Sequence, residues 1–157
     1  MGLNSNKILI VDDEKAIRLG LSKCVKASGF ETLEACDGYE ALRLAVEHQP
    51  GLIILDVMMH GLSGLEVCRQ LKKDPYTKDI KIIMLSARGQ LREREEGLEA
   101  GADKYVTKPF NYRELIKNIN QLLGLKVSEI KAQQCSFHYP NQNDQADHSD
   151  VSSLTEI

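Results

Sequence analysis

Acidic side chains follow two of the most apolar stretches of the sequence. The run KILIV (7–11) is followed by Asp12 and Asp13, and the run LIIL (52–55) is followed by Asp56. Carboxylates brought close together repel each other unless a cation or a proton offsets their charge. Mg²⁺ does so with oxygen ligands, and it needs only one or two carboxylates besides water and a phosphate oxygen. Because a carboxylate can also be the nucleophile that forms an aspartyl phosphate, these residues predict a Mg²⁺ site at which Asp56 accepts a phosphoryl group.

A serine and a lysine follow two further apolar stretches. Ser86 comes directly after IKIIML (80–85), and Lys108 follows the short run 102–106 by one residue. At a phosphoryl site, the lysine would supply a fixed positive charge to the phosphoryl oxygens, and the serine would donate a hydrogen bond to the same group. These residues also have ordinary structural interpretations, as acids near a helix N-terminus, a capping serine and a solvated lysine.

Strand-like apolar runs alternate with amphipathic runs of helical spacing over the first 124 residues. Strands are predicted at 7–11, 30–36, 52–55, 80–85 and 102–106. Helices are predicted over 14–28, after the turn Asp37-Gly38, from Gly64 to Asp74, over 89–100 and after the capping residue Asn111. Leu91 and Leu98 are predicted to face inward on the fourth helix, and Pro50-Gly51 to break the chain before the third strand.

Five strand–helix units in succession predict an α/β fold with a parallel sheet covered on both faces. The connections are expected to be right-handed crossovers. Ligands of such sheets bind at the carboxyl ends of the strands. The carboxylates, the serine and the lysine that follow the apolar runs are therefore expected to converge at one edge of the sheet.

Four motifs at these strand ends resemble a known family. They are ILIVDDE (8–14), LIILDVMMHGLSGLEV (52–67), IIMLSA (82–87) and GADKYVTKPF (101–110). Together they make residues 6–124 similar to the receiver domain of two-component response regulators. The resemblance implies a flavodoxin-like (βα)5 three-layer sandwich with strand order 2-1-3-4-5. It also implies a phosphoprotein of phosphorelay signal transduction.

The resemblance assigns roles to the acidic residues. Asp56 matches the phosphoryl acceptor, which is loaded from a sensor histidine kinase or a histidine phosphotransfer protein. Asp12 and Asp13 match the acidic pair that holds Mg²⁺, one directly and one through water. The backbone carbonyl of Met58 matches a further metal ligand.

The resemblance also implies a switch. Ser86 and Tyr105 match the pair in which the hydroxyl moves toward the phosphoryl group and the aromatic ring turns inward. Lys108 matches the family lysine, whose bond to Pro109 is usually cis. The 89–124 face would then respond to phosphorylation, and it would signal to a downstream effector or output domain or form a homodimer.

Two positions depart from the family pattern. The family often has proline four residues after the acceptor, where this chain has His60. An exposed loop histidine is the ordinary interpretation, and a metal ligand or phosphodonor is the alternative. Many DNA-binding members have an acidic residue in a dimer contact where this chain has Lys104, which weakens the expectation of that dimer.

Length and charge set the outer limits. A chain of 157 residues with 42% hydrophobic and 27% charged residues suits one globular domain. Residues 125–157 carry two basic and five acidic side chains, and they predict an extension of the last helix followed by a disordered polar tail. No basic patch predicts nucleic-acid binding. No apolar run predicts a membrane span or a secretory signal, so a cytoplasmic location is expected.

The function predicted from these observations is a phosphorylation-operated switch, not an enzyme for an external substrate. One alternative is a receiver-like docking module that acts without phosphorylation. Another is an aspartyl-phosphate phosphohydrolase. Such hydrolases usually place a second carboxylate two residues after the nucleophile, and Met58 occupies that position here.

Overall fold

A computed structural model describes residues 2–87 and 91–125 of the chain. Five strands and five helices alternate along it. The strands are β1 (Asn4–Val11), β2 (Glu31–Ala35), β3 (Pro50–Asp56), β4 (Lys81–Ser86) and β5 (Lys104–Thr107). The helices are α1 (Lys15–Ala27), α2 (Gly38–His48), α3 (Gly64–Lys73), α4 (Leu91–Glu99) and α5 (Tyr112–Leu122).

The strands form one parallel sheet in the order β2-β1-β3-β4-β5. The predicted fold class is therefore confirmed, including the strand order. Every residue of the central strand β3 is buried, as expected for a strand covered on both faces. The pairing also sets which residues meet at the carboxyl edge, since Val11 pairs with Leu55 and Asp56 with Leu85. Asp12 and Asp56 therefore leave neighbouring strands at almost the same level.

Two apolar clusters cover the two faces of the sheet. One joins alternate residues of the central strands to α2 and α3, and the other joins the intervening residues to α1 and α5. Leu9 and Ile53 belong to the first cluster, whereas Ile8 and Ile54 belong to the second. This alternation follows from the two-residue period of a strand, and it makes the sheet a rigid support for the loops at its edge.

Side-chain caps fix where three of the helices begin. Asp37 accepts a hydrogen bond from the Glu40 N–H at the start of α2. Ser63 does the same for α3, and Asn111 caps α5 as its sequence position predicts. Each cap satisfies a backbone donor that the helix itself leaves without a partner.

The predicted inward orientation of Leu91 and Leu98 is wrong. Their exposed fractions are 78% and 47%, and the buried residue of α4 is Gly97. A Cβ at Gly97 would lie 2.9 Å from the Tyr105 ring and 3.3 Å from the Met84 sulfur. The helix thus approaches the sheet through its glycine, and this close approach turns both leucines outward.

The predicted chain break at Pro50-Gly51 is also wrong, because both residues belong to β3. Pro50 is tolerated as the first residue of the strand, where its missing N–H matters least. A Cβ at Gly51 would lie 2.7 Å from the Ser5 Cα. The glycine therefore permits the close approach of β1 to β3 rather than a turn.

Two further expectations concern the chain ends. The predicted helix extension and polar tail fall on residues 125–157, of which only Leu125 lies within the described part. The domain boundaries 6–124 stay a prediction. In the described ranges, the structure contains no helix that has both the length and the apolar character needed to cross a membrane.

Candidate functional site

Three carboxylates meet at the carboxyl edge of the sheet. Asp12 and Asp13 follow β1, and Asp56 ends β3. One oxygen from each lies within 4.8 Å of the others. Asp12 and Asp56 have exposed fractions of 0% and 4%, and Asp13 is half-buried. This is a donor set of hard oxygen atoms, and its spacing fits a Mg²⁺ ion, which prefers such ligands.

Lys108 brings a positive charge to this group. Its Nζ lies 3.3 Å from Asp12 Oδ2 and 3.5 Å from Asp56 Oδ1. Its side chain is only 7% exposed. The lysine follows β5, where its N–H donates to the Ser86 carbonyl over 2.7 Å. The Lys108–Pro109 peptide bond is cis.

The surroundings of Asp56 raise the pKa of its carboxyl group. Burial raises the pKa to about 6, the charge of Lys108 lowers it, and the charge of Asp12 raises it. The Met58 N–H also stabilises the carboxylate by donating to Asp56 Oδ1 over 3.3 Å. Near neutral pH the group is therefore largely ionised, and it is a more basic nucleophile than an exposed aspartate.

Backbone contacts fix the acidic residues in place. Asp12 Oδ1 accepts from the Glu14 N–H over 2.9 Å, while Arg18 Nη1 donates to the Asp12 carbonyl over 2.8 Å. Gly64, the first residue of α3, lies so close to the Asp56 carbonyl that a Cβ there would overlap it. The loop after the acceptor is thus packed tightly against the strand end.

His60 contacts the site from the loop after β3. Its Nδ1 lies 3.0 Å from Asp13 Oδ2, and its N–H donates to the same oxygen over 3.3 Å. The imidazole is fully exposed. In the described part of the chain, the group of converging ligand atoms contains the three aspartates and not His60. The structure therefore places His60 beside an acidic residue, outside that group.

The proposed switch residues meet at a third residue that the sequence did not single out. Ser86 is fully buried, and its Oγ donates to Glu93 Oε2 over 3.2 Å. The Tyr105 hydroxyl approaches the same oxygen at 3.5 Å. Burial raises the pKa of the Tyr105 phenol, and the Ser86 hydrogen bond opposes that rise. Glu93 belongs to a charged run that suggests a solvated helix face, so no signal in the pattern distinguishes it.

Comparison with known proteins agrees with this geometry. Residues 8–120 match the family described as the response regulator receiver domain. The phosphate regulon transcriptional regulatory protein PhoB of Pseudomonas aeruginosa is 47% identical over 116 residues, covering 74% of this chain and 51% of PhoB. The DNA-binding dual master transcriptional regulator RpaA of a Synechocystis species is 40% identical over 117 residues, covering 74% of this chain and 48% of RpaA. This chain thus spans about half the length of these relatives.

A solved structure supports the same assignment. The chemotaxis protein CheY4 of Vibrio cholerae superposes with a TM-score of 0.71 at 33% identity, covering 74% of this chain and 97% of CheY4. The family match includes the strand ends that carry Asp12, Asp13, Asp56, Ser86 and Lys108. The resemblance noted from the four motifs is confirmed: the chain belongs to the response regulator receiver domain family of two-component systems.

Proposed function

We propose that this chain is a phosphorylation-operated switch whose acceptor is Asp56. The observation that carries the proposal is the convergence of Asp56 with Asp12, Asp13 and the Lys108 ammonium at the carboxyl edge of the sheet, with Asp12 and Asp56 both buried. A purely structural charge cluster would pair its charges, whereas this one leaves negative charge in excess. The arrangement suits a cation and a phosphoryl group together.

The chemistry follows from the positions of the side chains. An Asp56 carboxylate oxygen attacks the phosphorus of a phosphohistidine on a sensor histidine kinase or phosphotransfer protein. A new O–P bond forms as the N–P bond breaks, and the electron pair leaves with the imidazole nitrogen, which takes up a proton. Lys108 is 3.5 Å from the acceptor, within reach of oxygens on the incoming group. Ser86 supplies a hydroxyl from the adjacent strand.

Mg²⁺ is the proposed cofactor, and the residues present fit it. Asp12, Asp13 and Asp56 would hold it together with the backbone carbonyl of Met58. When bound, the ion neutralises charge on the transferring phosphoryl group. Asp12 and Asp13 have their carboxylates oriented by hydrogen bonds accepted from the Glu14 N–H and the His60 N–H, respectively. Lys108 remains beside Asp12 and Asp56 as a second positive charge.

The proposed output is a change in the 89–124 face. Ser86 and Tyr105 form the switch pair, and both lie against α4 through Glu93. The modified face would engage a downstream effector, an output domain or a second copy of the chain. No catalytic turnover of an external substrate is proposed, since the residues assist only phosphorylation and dephosphorylation of Asp56. The cytoplasmic location stays a prediction.

Intact-mass measurement after incubation with acetyl phosphate and Mg²⁺ tests this function. Wild type is expected to gain about 80 Da, the mass of one phosphoryl group, and Asp56→Asn to gain nothing. Asp79→Asn is the matched control, because Asp79 is an exposed acid that precedes β4, whereas the site lies at the carboxyl ends of the strands. An unmodified wild type would favour a docking module that acts without phosphorylation. Rapid release of phosphate from many substrates would favour a phosphohydrolase.

A further inference from the structure

Glu93 lies in the first turn of α4 and contacts both residues of the proposed switch pair. Ser86 Oγ donates to Glu93 Oε2 over 3.2 Å, and Tyr105 Oη lies 3.5 Å from the same oxygen. Ser86 is fully buried and Tyr105 is 8% exposed. A single carboxylate oxygen therefore links the end of β4, the middle of β5 and the start of α4.

The rest of α4 provides little other attachment to the sheet. Gly97 is its one buried residue among those described. Leu91 and Leu98 face outward, with exposed fractions of 78% and 47%. A helix that buries so little apolar area is held weakly by the hydrophobic effect. The hydrogen bonds to Glu93 therefore add a polar attachment of this helix to β4 and β5, beside the packing of Gly97.

We propose that Glu93 is a positioning residue that accepts the hydrogen bond of the Ser86 hydroxyl while Asp56 is unmodified. Phosphorylation of Asp56 then breaks this hydrogen bond between Ser86 and Glu93. The inference rests on the proposed function of Asp56. A hydroxyl has one proton to donate, so Ser86 cannot donate to Glu93 and to a phosphoryl oxygen at the same time. The two anions compete for one donor. When Ser86 donates to the phosphoryl group instead, the first turn of α4 loses its hydrogen bond to β4.

This competition predicts that weakening the Glu93 contact strengthens binding at Asp56. Hydrogen bonds to charged acceptors are about twice as strong as those to neutral ones. Glu93→Gln keeps a neutral acceptor, and it is expected to raise the affinity for a phosphoryl mimic about threefold. Glu93→Ala removes the acceptor and is expected to raise the affinity about tenfold, as loss of a typical charge-assisted bond would.

Titration with beryllofluoride in the presence of Mg²⁺, followed by ¹⁹F NMR, measures this affinity. Beryllofluoride on a carboxylate imitates an attached phosphoryl group. Glu95→Gln is the matched control, since it removes the same charge from an exposed position of α4. Its affinity is expected to stay at the wild-type value. Equal gains in Glu95→Gln and Glu93→Gln would show a general charge effect and would overturn the proposal.

A second comparison isolates the role of Ser86. In a Ser86→Ala background, Glu93→Ala is expected to leave the beryllofluoride affinity unchanged, because no hydroxyl remains to be released. A tenfold gain in that background would overturn the proposal. Backbone NMR provides an independent measurement: amide shifts over 91–99 in free Glu93→Ala are expected to move toward those of beryllofluoride-bound wild type. Unchanged shifts would also contradict it.

The outcomes separate this inference from the function on which it rests. If wild type binds beryllofluoride and gains the phosphoryl mass while the Glu93 variants match wild type, Asp56 is the acceptor and Glu93 has no positioning role. If wild type neither binds beryllofluoride nor gains the mass, the proposed function fails, and the role of Glu93 fails with it.

Discussion

At the edge of the sheet where the strands end, Lys108 lies between two buried carboxylates, those of Asp12 and Asp56. At the opposite edge, where β4 and β5 begin, the ratio of ammonium groups to carboxylates is reversed. There the single carboxylate of Asp103 faces Lys72 and Lys81. Both groups join lysines to aspartates that are distant in the sequence. They differ in which charge is in excess and in how deeply the carboxylates are buried.

The Asp103 group is satisfied by its own surroundings. Asp103 Oδ2 lies 3.2 Å from Lys72 Nζ and accepts from the Ile82 N–H over 2.9 Å. Lys72 Nζ also donates to the Ile80 carbonyl over 2.9 Å. These contacts tie the end of α3 to the starts of β4 and β5. The group therefore has internal partners for its carboxylate and stabilises the fold.

The Asp56 group keeps an imbalance that a ligand can relieve. Three carboxylates meet one described ammonium group there, and two of the carboxylates are buried. Burying charges that are not fully compensated is unfavourable. The comparison indicates that one edge of the sheet contributes stability, whereas the other gives up stability, as the proposed binding of a cation and a phosphoryl group requires.

The largest expected effect is a pH dependence of the free energy of unfolding that arises from buried Asp56, measured without divalent ions. Because the pKa of Asp56 is about 6 in the folded state against an ordinary 3.8, the native state binds more protons between those values. The contribution of Asp56 to the stability of the folded state is therefore greatest below about pH 4 and falls as the pH rises through about 6. The difference of about two pKa units corresponds to about 3 kcal/mol.

Denaturant unfolding of wild type and Asp56→Asn in EDTA measures that difference. The measurements should run from about pH 4 to about pH 8, which spans the ordinary and the raised pKa of Asp56. The variant should gain in stability relative to wild type as pH rises, because an amide does not ionise. Asp79→Asn serves as the control for loss of an exposed carboxyl. If the difference in free energy of unfolding between wild type and Asp56→Asn stays constant with pH, Asp56 does not have a raised pKa in the folded protein.

At the opposite edge, Asp103→Ala is expected to lower the free energy of unfolding by about 2 kcal/mol. The substitution leaves Lys72, whose side chain is 21% exposed, without its carboxylate partner, and it leaves the Ile82 N–H without its acceptor. Asp79→Ala should change stability far less. Phosphorylation of Asp56 should proceed to the wild-type extent in the folded variant, and loss of phosphorylation would mean that the two edges are not separable.

Adding Mg²⁺ should stabilise the protein through the Asp56 group alone. A ligand present at about ten times its dissociation constant adds about 1.4 kcal/mol to the free energy of unfolding. Asp13→Asn should lose most of this gain, since a neutral amide holds the ion less strongly, whereas Asp103→Ala should keep it. A thermal shift with Mg²⁺ that is equal in all three proteins would indicate binding elsewhere.

The sequence was sufficient for the parts of the site that depend on strand position. Residues that follow parallel strands lie at one edge of the sheet, so the placement of Asp12, Asp56 and Lys108 at the same edge follows from the alternation of strands and helices alone. The strand order itself came from the family resemblance. No pattern of apolar residues distinguishes that order from other arrangements of five parallel strands.

The remaining features depend on how segments pack, which spacing alone does not determine. The leucines of α4 predict the wrong buried face, because Gly97 permits a closer approach than any side chain would. Contact between Glu93 and Ser86 depends on the resulting rotation of that helix. His60 reaches Asp13 only through the path of the loop after β3. Helix rotation and loop path are set by tertiary contacts that a period of apolar residues does not record.

The smallest expected effect lies at the outer ammonium of the Asp103 group. Lys81 Nζ is 3.9 Å from Asp103 Oδ1, and the side chain is 44% exposed. A pair of this kind is screened by water, and exposed ion pairs contribute about 1 kcal/mol or less. Lys81→Gln should therefore lower the free energy of unfolding by no more than that, and 1 M salt should abolish the difference. A loss as large as that of Asp103→Ala would mean that the two lysines hold the carboxylate jointly. Stability at this edge would then depend on both ammonium groups together, and not mainly on the hydrogen bonds of Lys72.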